Sequence, residues 1–360
     1  MFNLSEFTDI PPYSLPKVKK ADLYLKAISD LTKLHYKGCP QYRRILDIID
    51  VDIDNLTKLE DFPFLPGRLF KEYDLLSVER SEIIKTMTSS GTTGLEVSKI
   101  YLDRETSTNQ TKALVKITSS FIGTKRLPML VIDTESILKD RNLFSARGAG
   151  ILGFSMLGYD ITYALDEQMN LDMDTVTSFL EKYCDTPVLL FGFTFMIWKH
   201  FIMPLDKRKK IKLDNGIVIH GGGWKKLNEQ SIDNDMFRKA TEDICGIKKV
   251  YNYYGMVEQT GSIFMECEYG HLHASIFSDI IIRNHRDYQS MDIGQQGLIQ
   301  LVSILPSSYP GHLILTEDLG ELLGEDDCPC GRMGKYFKVH GRIQDAEIRG
   351  CSDTYASDIR

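Results

Sequence analysis

The order of apolar and polar positions gives the chain three successive textures. Over Ala21–Tyr36, Leu23, Ile28, Leu31 and Leu34 recur at mostly helical spacing and predict an amphipathic helix. A second helix is predicted over Tyr42–Asp50, after which Pro63, Pro66 and Gly67 break the chain. From residue 80, short apolar runs alternate with helical stretches. Ile83–Met87 reads as a strand that leads into a Ser/Thr/Gly loop at 88–94, and Asp103–Thr118 reads as a helix. Pro128–Ile132, Pro187–Phe191, Ile217–His220 and Lys248–Tyr254 read as strands, and Thr175–Tyr183 as a helix. This alternation predicts an α/β architecture. After Cys267 the helical spacing stops. Ile280–Arg283, Gly297–Ser303 and His312–Glu317 then predict a β-rich subdomain.

Composition narrows the function classes. With 360 residues, 42% hydrophobic, the chain can bury a large core, which excludes a disordered protein. A net charge of −7 argues against a general nucleic-acid binder, and Lys207–Lys210 reads as a solvated helix end or loop. The longest apolar run, Val188–Trp198, is well short of the roughly 20 residues that a membrane-spanning helix needs. Met1–Pro16 has early acids, three prolines and no apolar core, unlike a signal peptide. The expectation is a cytoplasmic chain without a membrane span. Its seven cysteines then read as thiols, metal ligands or nucleophiles rather than disulfides.

Four short segments carry candidate chemistry. In Thr88-Ser89-Ser90-Gly91-Thr92-Thr93-Gly94, small residues let backbone N–H groups approach a phosphate and hydroxyls add donors, although a flexible polar turn has the same composition. No GK[ST] follows, so it is not a Walker loop. In Tyr251–Gly261, an aromatic at a strand end suits a purine, and Glu258 lies four residues after Tyr254, in reach of a Mg²⁺ ion on phosphates. In Thr316–Gly320, the carboxylate of Asp318 at a strand end suits ribose hydroxyls. In Gly341–Asp345, Arg342 offers a cation to phosphate.

A fifth set, Cys267, His271, His273, Cys328 and Cys330, offers three thiolates and an imidazole to tetrahedral Zn²⁺. The expected ligands are Cys267, His273, Cys328 and Cys330, with His271 as the rival histidine. Four protein ligands would make the site structural. Reduced thiols in a β subdomain are the alternative. Cys39, Cys184 and Cys245 have no partners at metal spacing and read as structural. Val188–Trp198 reads as a buried strand and helix start that could also wall an acyl pocket.

Taken in order, the first four segments resemble the adenylate-forming superfamily: SSGTTG at 89–94, YGMVE at 254–258, TEDLG at 316–320 and GRIQD at 341–345. Val257 stands where that superfamily has Thr. Gln344 stands where its hinge Asp would be, with Asp345 next to it. The resemblance covers roughly residues 80–360. It implies that Thr88 to Gly94 clamp ATP phosphates, and that Gly221, Gly222 and Gly223 lie beside the adenine. It implies further that Tyr254, next to Gly255, stacks on the adenine, that Glu258 holds Mg²⁺, that Asp318 binds the ribose, and that Arg332 or Arg342 meets ribose or phosphate. The implied reaction is carboxylate attack on the α-phosphorus of ATP.

Only fifteen residues follow Asp345, too few for a lid domain of about 50 or more. The chain is therefore more closely similar to the LuxE-type acyl-protein synthetases, which are related to phenylacetate–CoA ligases. That resemblance implies that Cys351 takes the acyl group as a thioester and passes it to an acyl reductase partner. Arg349 and Arg342 would favour the Cys351 thiolate, and Asp353 would oppose it. The expected fold is the large N-terminal domain of an adenylate-forming enzyme with the lid absent or vestigial. Its parts would be a helical lead-in at 1–80 packed on the core, a core at 81–345 with the β-rich subdomain near 262–340, and a tail at 346–360. A phenylacetate–CoA-type ligase and a non-catalytic nucleotide- and acyl-binding subunit are the rival readings.

Overall fold

The structure, a computed structural model, describes residues 4–89, 97–138, 146–208, 211–223 and 232–343. In chain order its strands are β1 (Leu65–Pro66), β2 (Lys85–Thr88), β3 (Lys99–Leu102), β4 (Leu127–Val131), β5 (Gly158–Tyr163), β6 (Val188–Phe193), β7 (Gly216–Gly221), β8 (Lys249–Tyr254), β9 (Phe264–Glu266), β10 (Leu272–His273), β11 (Ser278–Arg283), β12 (Gln296–Ser303), β13 (Leu313–Glu325) and β14 (Lys335–Arg342). The chain divides into two compact units. One is built from residues before 90, from 97–120 and from 255–343; the other is built from the described residues of 121–254. The division at 254/255 falls inside the Tyr251–Gly261 segment.

The unit within 121–254 is a parallel sheet in the order β5-β4-β6-β7-β8. Every residue of β4, β6 and β7 is buried. Strands covered on both faces carry unbroken apolar runs, which is why they are readable in sequence. Three of the connecting helices are Ala146–Ser155, Met173–Lys182 and Asn234–Cys245. Asp172 and Asp233 cap the last two by accepting hydrogen bonds from the Thr175 and Met236 amides at 3.0 and 2.7 Å. The third helix ends on Gly246 at φ +76°, a left-handed position that glycine adopts without strain. The strand order places the second strand of the unit outside the first. The chain therefore winds away in opposite directions from the β4/β6 neighbours. In open α/β sheets such a switch point, at the carboxyl ends of the strands, is where ligands bind.

The other unit is an antiparallel sheet in the order β11-β12-β13-β14-β10-β9, to which β1 adds a parallel pairing on β13. A separate antiparallel pair, β2 and β3, belongs to the same unit. The predicted helix over 21–36 extends to Lys17–Gly38. Its buried positions, Lys20, Tyr24, Ala27, Ile28, Leu31, Thr32 and His35, form one face. That face is tied down by polar contacts: Tyr24 Oη donates to the Ile276 carbonyl at 2.9 Å and Lys20 Nζ to that of Ser278 at 2.8 Å. The earlier start is explained by Lys20, a buried cation 3.9 Å from the buried Asp279 carboxylate. Apolar spacing does not register a charged residue on the buried face. Among the described residues no helix is long and apolar enough to cross a membrane.

Candidate active site and metal centre

The loop residues Ser90, Gly91, Thr92, Thr93 and Gly94 lie outside the described residues, as do Gln344, Asp345 and Cys351. The base of the loop is described. Thr88 ends β2 in register with Lys99, and Ser89 closes the pair. The Ser89 amide donates to the Ser98 carbonyl at 3.0 Å, and the Ser98 amide donates to Ser89 Oγ at 2.9 Å.

In the parallel unit, Gly221 ends β7 in register with Phe193 on one side and Tyr253 on the other. A Cβ on Gly221 would fall 2.5 Å from the Tyr253 ring, so only glycine allows that ring to lie against β7. Gly222 follows at φ +80°, and Gly222 and Gly223 are exposed. Tyr254, half-buried, ends the neighbouring strand. Bare backbone at the end of β7 and an aromatic at the end of β8 therefore share the carboxyl edge of the sheet, where an open α/β fold takes its ligand. His220 just before them is buried; it pairs through Nδ1 with Thr194 Oγ1 at 2.9 Å and lies against Phe237. Burial lowers its pKa to about 3 and keeps it neutral. Val188–Ile197 is buried throughout and packs into the core of this unit.

The same edge holds an ion pair that sequence reasoning did not single out. Asp133, two residues beyond β4, accepts from Arg147 Nη2 at 3.0 Å, and Arg147 Nε lies 2.9 Å from its other oxygen. Both side chains are buried. Burial raises the Asp133 pKa, against the pull of the guanidinium. A charged residue directly after the apolar run Pro128–Ile132 was the available signal.

In the antiparallel unit, Gly255 is exposed, and Glu258 is buried on a single 3-10 turn, Val257–Gln259. Tyr309 Oη donates to the Glu258 carbonyl at 2.9 Å, and Gln259 Nε2 donates to the Gly311 carbonyl at 2.8 Å. Asp318 sits on β13 opposite Arg342 on β14, and Arg342 Nε donates to Asp318 Oδ1 at 3.1 Å. The Asp318 amide donates to Thr316 Oγ1 at 3.1 Å; Asp318 lies inside β13, at an irregularity of its pairing with β12, and not at a strand end before a turn as its segment suggested.

The cysteine–histidine set converges. One donor atom from each of Cys267, His273, Cys328 and Cys330 lies within 4.8 Å of the others. Two tight turns bring them there. The Gly270 amide donates to the Cys267 carbonyl at 3.0 Å and the Gly331 amide to that of Cys328 at 2.9 Å, and both glycines have φ near +77°. His273 Nε2 lies 3.4 Å from Cys330 Sγ; His271 stands at the flank, with Nδ1 3.3 Å from Cys328 Sγ. Burial raises the Cys267 thiol and pushes Cys328 up to about 12, and it lowers His273 to about 3, so a neutral imidazole stands among the thiols. Of the remaining described cysteines, Cys39 and Cys245 are buried, whereas Cys184 is exposed and so has no packing role.

Arg332, next after the Cys330-Gly331 turn, faces this set. Its guanidinium lies 3.2 Å from Glu268 and sits over the ring of half-buried Tyr13, and Cys330 is among the groups that favour its charge. Tyr13 in turn meets His273 edge to face. The sequence offered no signal for Tyr13.

The family model described as "Acyl-protein synthetase, LuxE" matches residues 6–359. The chain belongs to the LuxE acyl-protein synthetase family. It is thus a ligase. Curated relatives are the long-chain-fatty-acid–luciferin-component ligases of Vibrio harveyi and Aliivibrio fischeri. The first is 22% identical over 353 residues, covering 94% of this chain and 88% of that protein. The second is 22% identical over 347 residues, covering 93% and 88%. Among solved structures, an open conformation of 2-hydroxyisobutyryl-CoA ligase in complex with 2-HIB-AMP and CoA superposes with a TM-score of 0.71. Its identity is 16%, over 92% of this chain and 77% of that one. This likeness establishes the fold: the chain has the α/β architecture of adenylate-forming enzymes, with the β-rich subdomain expected after Cys267.

Proposed function

We propose that this LuxE-family chain adenylates a fatty or other carboxylic acid with ATP and then takes the acyl group onto its own Cys351. The family match carries this reading, because it extends to residue 359 and so includes the segment around Cys351. In the first step a carboxylate oxygen attacks the α-phosphorus; the bond to the bridging oxygen breaks, and pyrophosphate leaves. In the second step the Cys351 thiolate attacks the acyl carbon of the acyl-adenylate, and AMP leaves with the oxygen it shared with the acyl group. The thioester is a form that an acyl reductase partner can accept. An ATP supply and reduced thiols both suit the cytoplasm.

Thr88, Ser89, Ser90, Gly91, Thr92, Thr93 and Gly94 would hold the phosphates. Gly221, Gly222, Gly223, Tyr254 and Gly255 would receive the adenine, and Asp318 the ribose. Glu258 would hold Mg²⁺, which supplies charge neutralisation to the phosphates, and Arg342 would add a cation at the α-phosphate. Preorganised dipoles and charges of this kind lower the barrier where negative charge develops.

Zn²⁺ fits the other centre. Three thiols and a neutral imidazole already lie close together, and a tetrahedral site with bonds of about 2.3 Å has edges of about 3.8 Å. Burial alone disfavours the thiolates, and a divalent cation reverses that preference. Cys267, His273, Cys328 and Cys330 would hold the ion, and with four protein ligands it would serve the fold.

Incubation with ATP and labelled fatty acid, without CoA, tests the reading. Label is expected on the protein and absent from Cys351→Ser. Label appearing only on added CoA would make the chain a CoA ligase of the phenylacetate type. If added acid does not increase pyrophosphate release, the chain is a binding subunit. The tail at 346–360 is proposed here as the acyl carrier.

A further inference from the structure

We infer that Arg332 belongs to the metal centre, as the cation that balances its charge, and is not a nucleotide ligand. The inference rests on the zinc reading above. Three thiolates, a neutral imidazole and a divalent ion sum to a net charge of −1 in a buried setting. An uncompensated charge there is costly. Arg332 supplies the compensation. It follows Cys330 by two residues, and its guanidinium is held by Glu268 at 3.2 Å and lies over the ring of Tyr13, the same ring that meets the His273 ligand edge to face. Its side chain is 19% exposed, whereas that of Glu268 is 58% exposed, so the fork points inward and its anchor faces water.

Arg332 also cannot move independently of the ligands. It follows Cys330 by two residues, and the Met333 amide donates to the Tyr13 carbonyl at 3.0 Å. The segment carrying two of the thiols is thereby stitched to the N-terminal segment. Tyr13 covers His273 on the same side. A guanidinium paired with a carboxylate and laid on an aromatic face is held in one orientation beside the thiols. The motif CPCGR then reads as two ligands followed by their counter-charge. Asp318 and Arg342 remain together as the polar pair for the nucleotide.

The test compares the full-length protein with Arg332→Met, Arg332→Lys and Glu268→Gln. Metal content is read by elemental analysis and zinc affinity by competition with a chromophoric chelator; KM for ATP is measured in parallel. Outer partners of metal ligands are typically worth 10–100-fold in affinity. Arg332→Met is expected to weaken zinc by about tenfold or more with the ATP KM unchanged. Arg332→Lys should recover part of that loss, and Glu268→Gln should show a smaller loss of the same kind. Glu268→Gln keeps the test decisive if Arg332→Met does not fold. A raised ATP KM with zinc affinity unchanged would overturn the inference and return Arg332 to the nucleotide. Wild-type protein that holds no zinc would overturn the metal reading itself, whatever the variants do.

Discussion

Asp318 and Arg342 are cross-strand partners on β13 and β14, and Arg342 Nε meets Asp318 Oδ1 at 3.1 Å. The two residues come from motif segments that are far apart in sequence, yet the register of two antiparallel strands makes them neighbours. The pair is partly exposed, so it contributes at most about 1 kcal/mol to stability. Its proposed role as polar pair for the nucleotide predicts a larger effect on ATP. A hydrogen bond to a charged group is worth about 1.5–3 kcal/mol, or roughly 10–100-fold. Asp318→Asn should therefore raise the ATP KM by at least about tenfold in pyrophosphate exchange, with little change in melting temperature. A variant that melts early and keeps its KM would make the pair purely structural.

Gly221 leads to a second prediction. A Cβ there would lie 2.5 Å from the Tyr253 ring, on a fully buried strand end. Gly221→Ala must push the ring or the strand, at about 1–3 kcal/mol for an overpacked site. The same displacement disturbs the carboxyl edge, so ATP binding should weaken along with urea resistance. Equal stability of the alanine variant would show that Tyr253 has somewhere to go.

These two sites also show what the sequence makes legible. The glycines and the Asp318 and Arg342 segments are contiguous motifs, and strands such as Val188–Phe193 are unbroken apolar runs. Each can be read locally. β5 could not be read so. It is an edge strand, Asp160 within it has φ +48°, and its residues range from buried to exposed, so neither alternation nor an apolar run survives. β14 hid for a related reason: Lys338, His340 and Gly341 are not buried, and the strand is defined by its partner β13. The cysteine set was legible because CxC is a compact signal. Tyr13 and Arg147 were not, because only folding brings those side chains to their partners; Asp133 alone left a trace, as a charge directly after an apolar run.

Acid should destabilise the protein through its buried histidines. His35 pairs with Ser77 Oγ at 2.7 Å, and its ring lies 4.7 Å from that of His312, which meets Thr32 Oγ1 at 3.0 Å. Burial lowers His35 from its ordinary 6.5 to about 3, and it holds His312 well below 6.5. The unfolded chain then binds more protons than the folded one between those values. Stability is full above pH 6.5 and falls as the pH drops toward about 3, by up to ~1.4 kcal/mol per pH unit for each histidine. His200 and His220, lowered to about 4 and about 3 by burial, act with the same sign. Urea midpoints at pH 7.5 and 5.5 read this directly. The midpoint should fall at the lower pH, and His35→Gln should reduce the difference. Equal wild-type midpoints at the two pH values would mean that these rings are already accessible to protons.

Gln259 is the fourth case, and it separates placement of a carboxylate from its chemistry. Its side-chain amide is buried and donates to the carbonyls of Gly311, Leu301 and His312 at 2.8, 3.3 and 3.4 Å. It therefore pins the turn that carries Glu258, whose own carbonyl is held by Tyr309. Gln259→Ala strips donors from buried carbonyls, at about 1–3 kcal/mol, and frees the turn. Tyr309→Phe removes two hydrogen bonds, each worth about 1 kcal/mol: the one to the Glu258 carbonyl and the one that Tyr309 Oη accepts from Gln110 Nε2 at 3.3 Å, of which only the first bears on the turn. If Glu258 acts through Mg²⁺, both variants should need more Mg²⁺ for half-maximal pyrophosphate release, Gln259→Ala more than Tyr309→Phe. Glu258→Gln should abolish the release at any Mg²⁺ concentration while urea resistance stays near that of wild type. An unchanged Mg²⁺ requirement in both positioning variants would separate Glu258 from the metal, because a carboxylate on a loosened turn cannot keep its ligand distance.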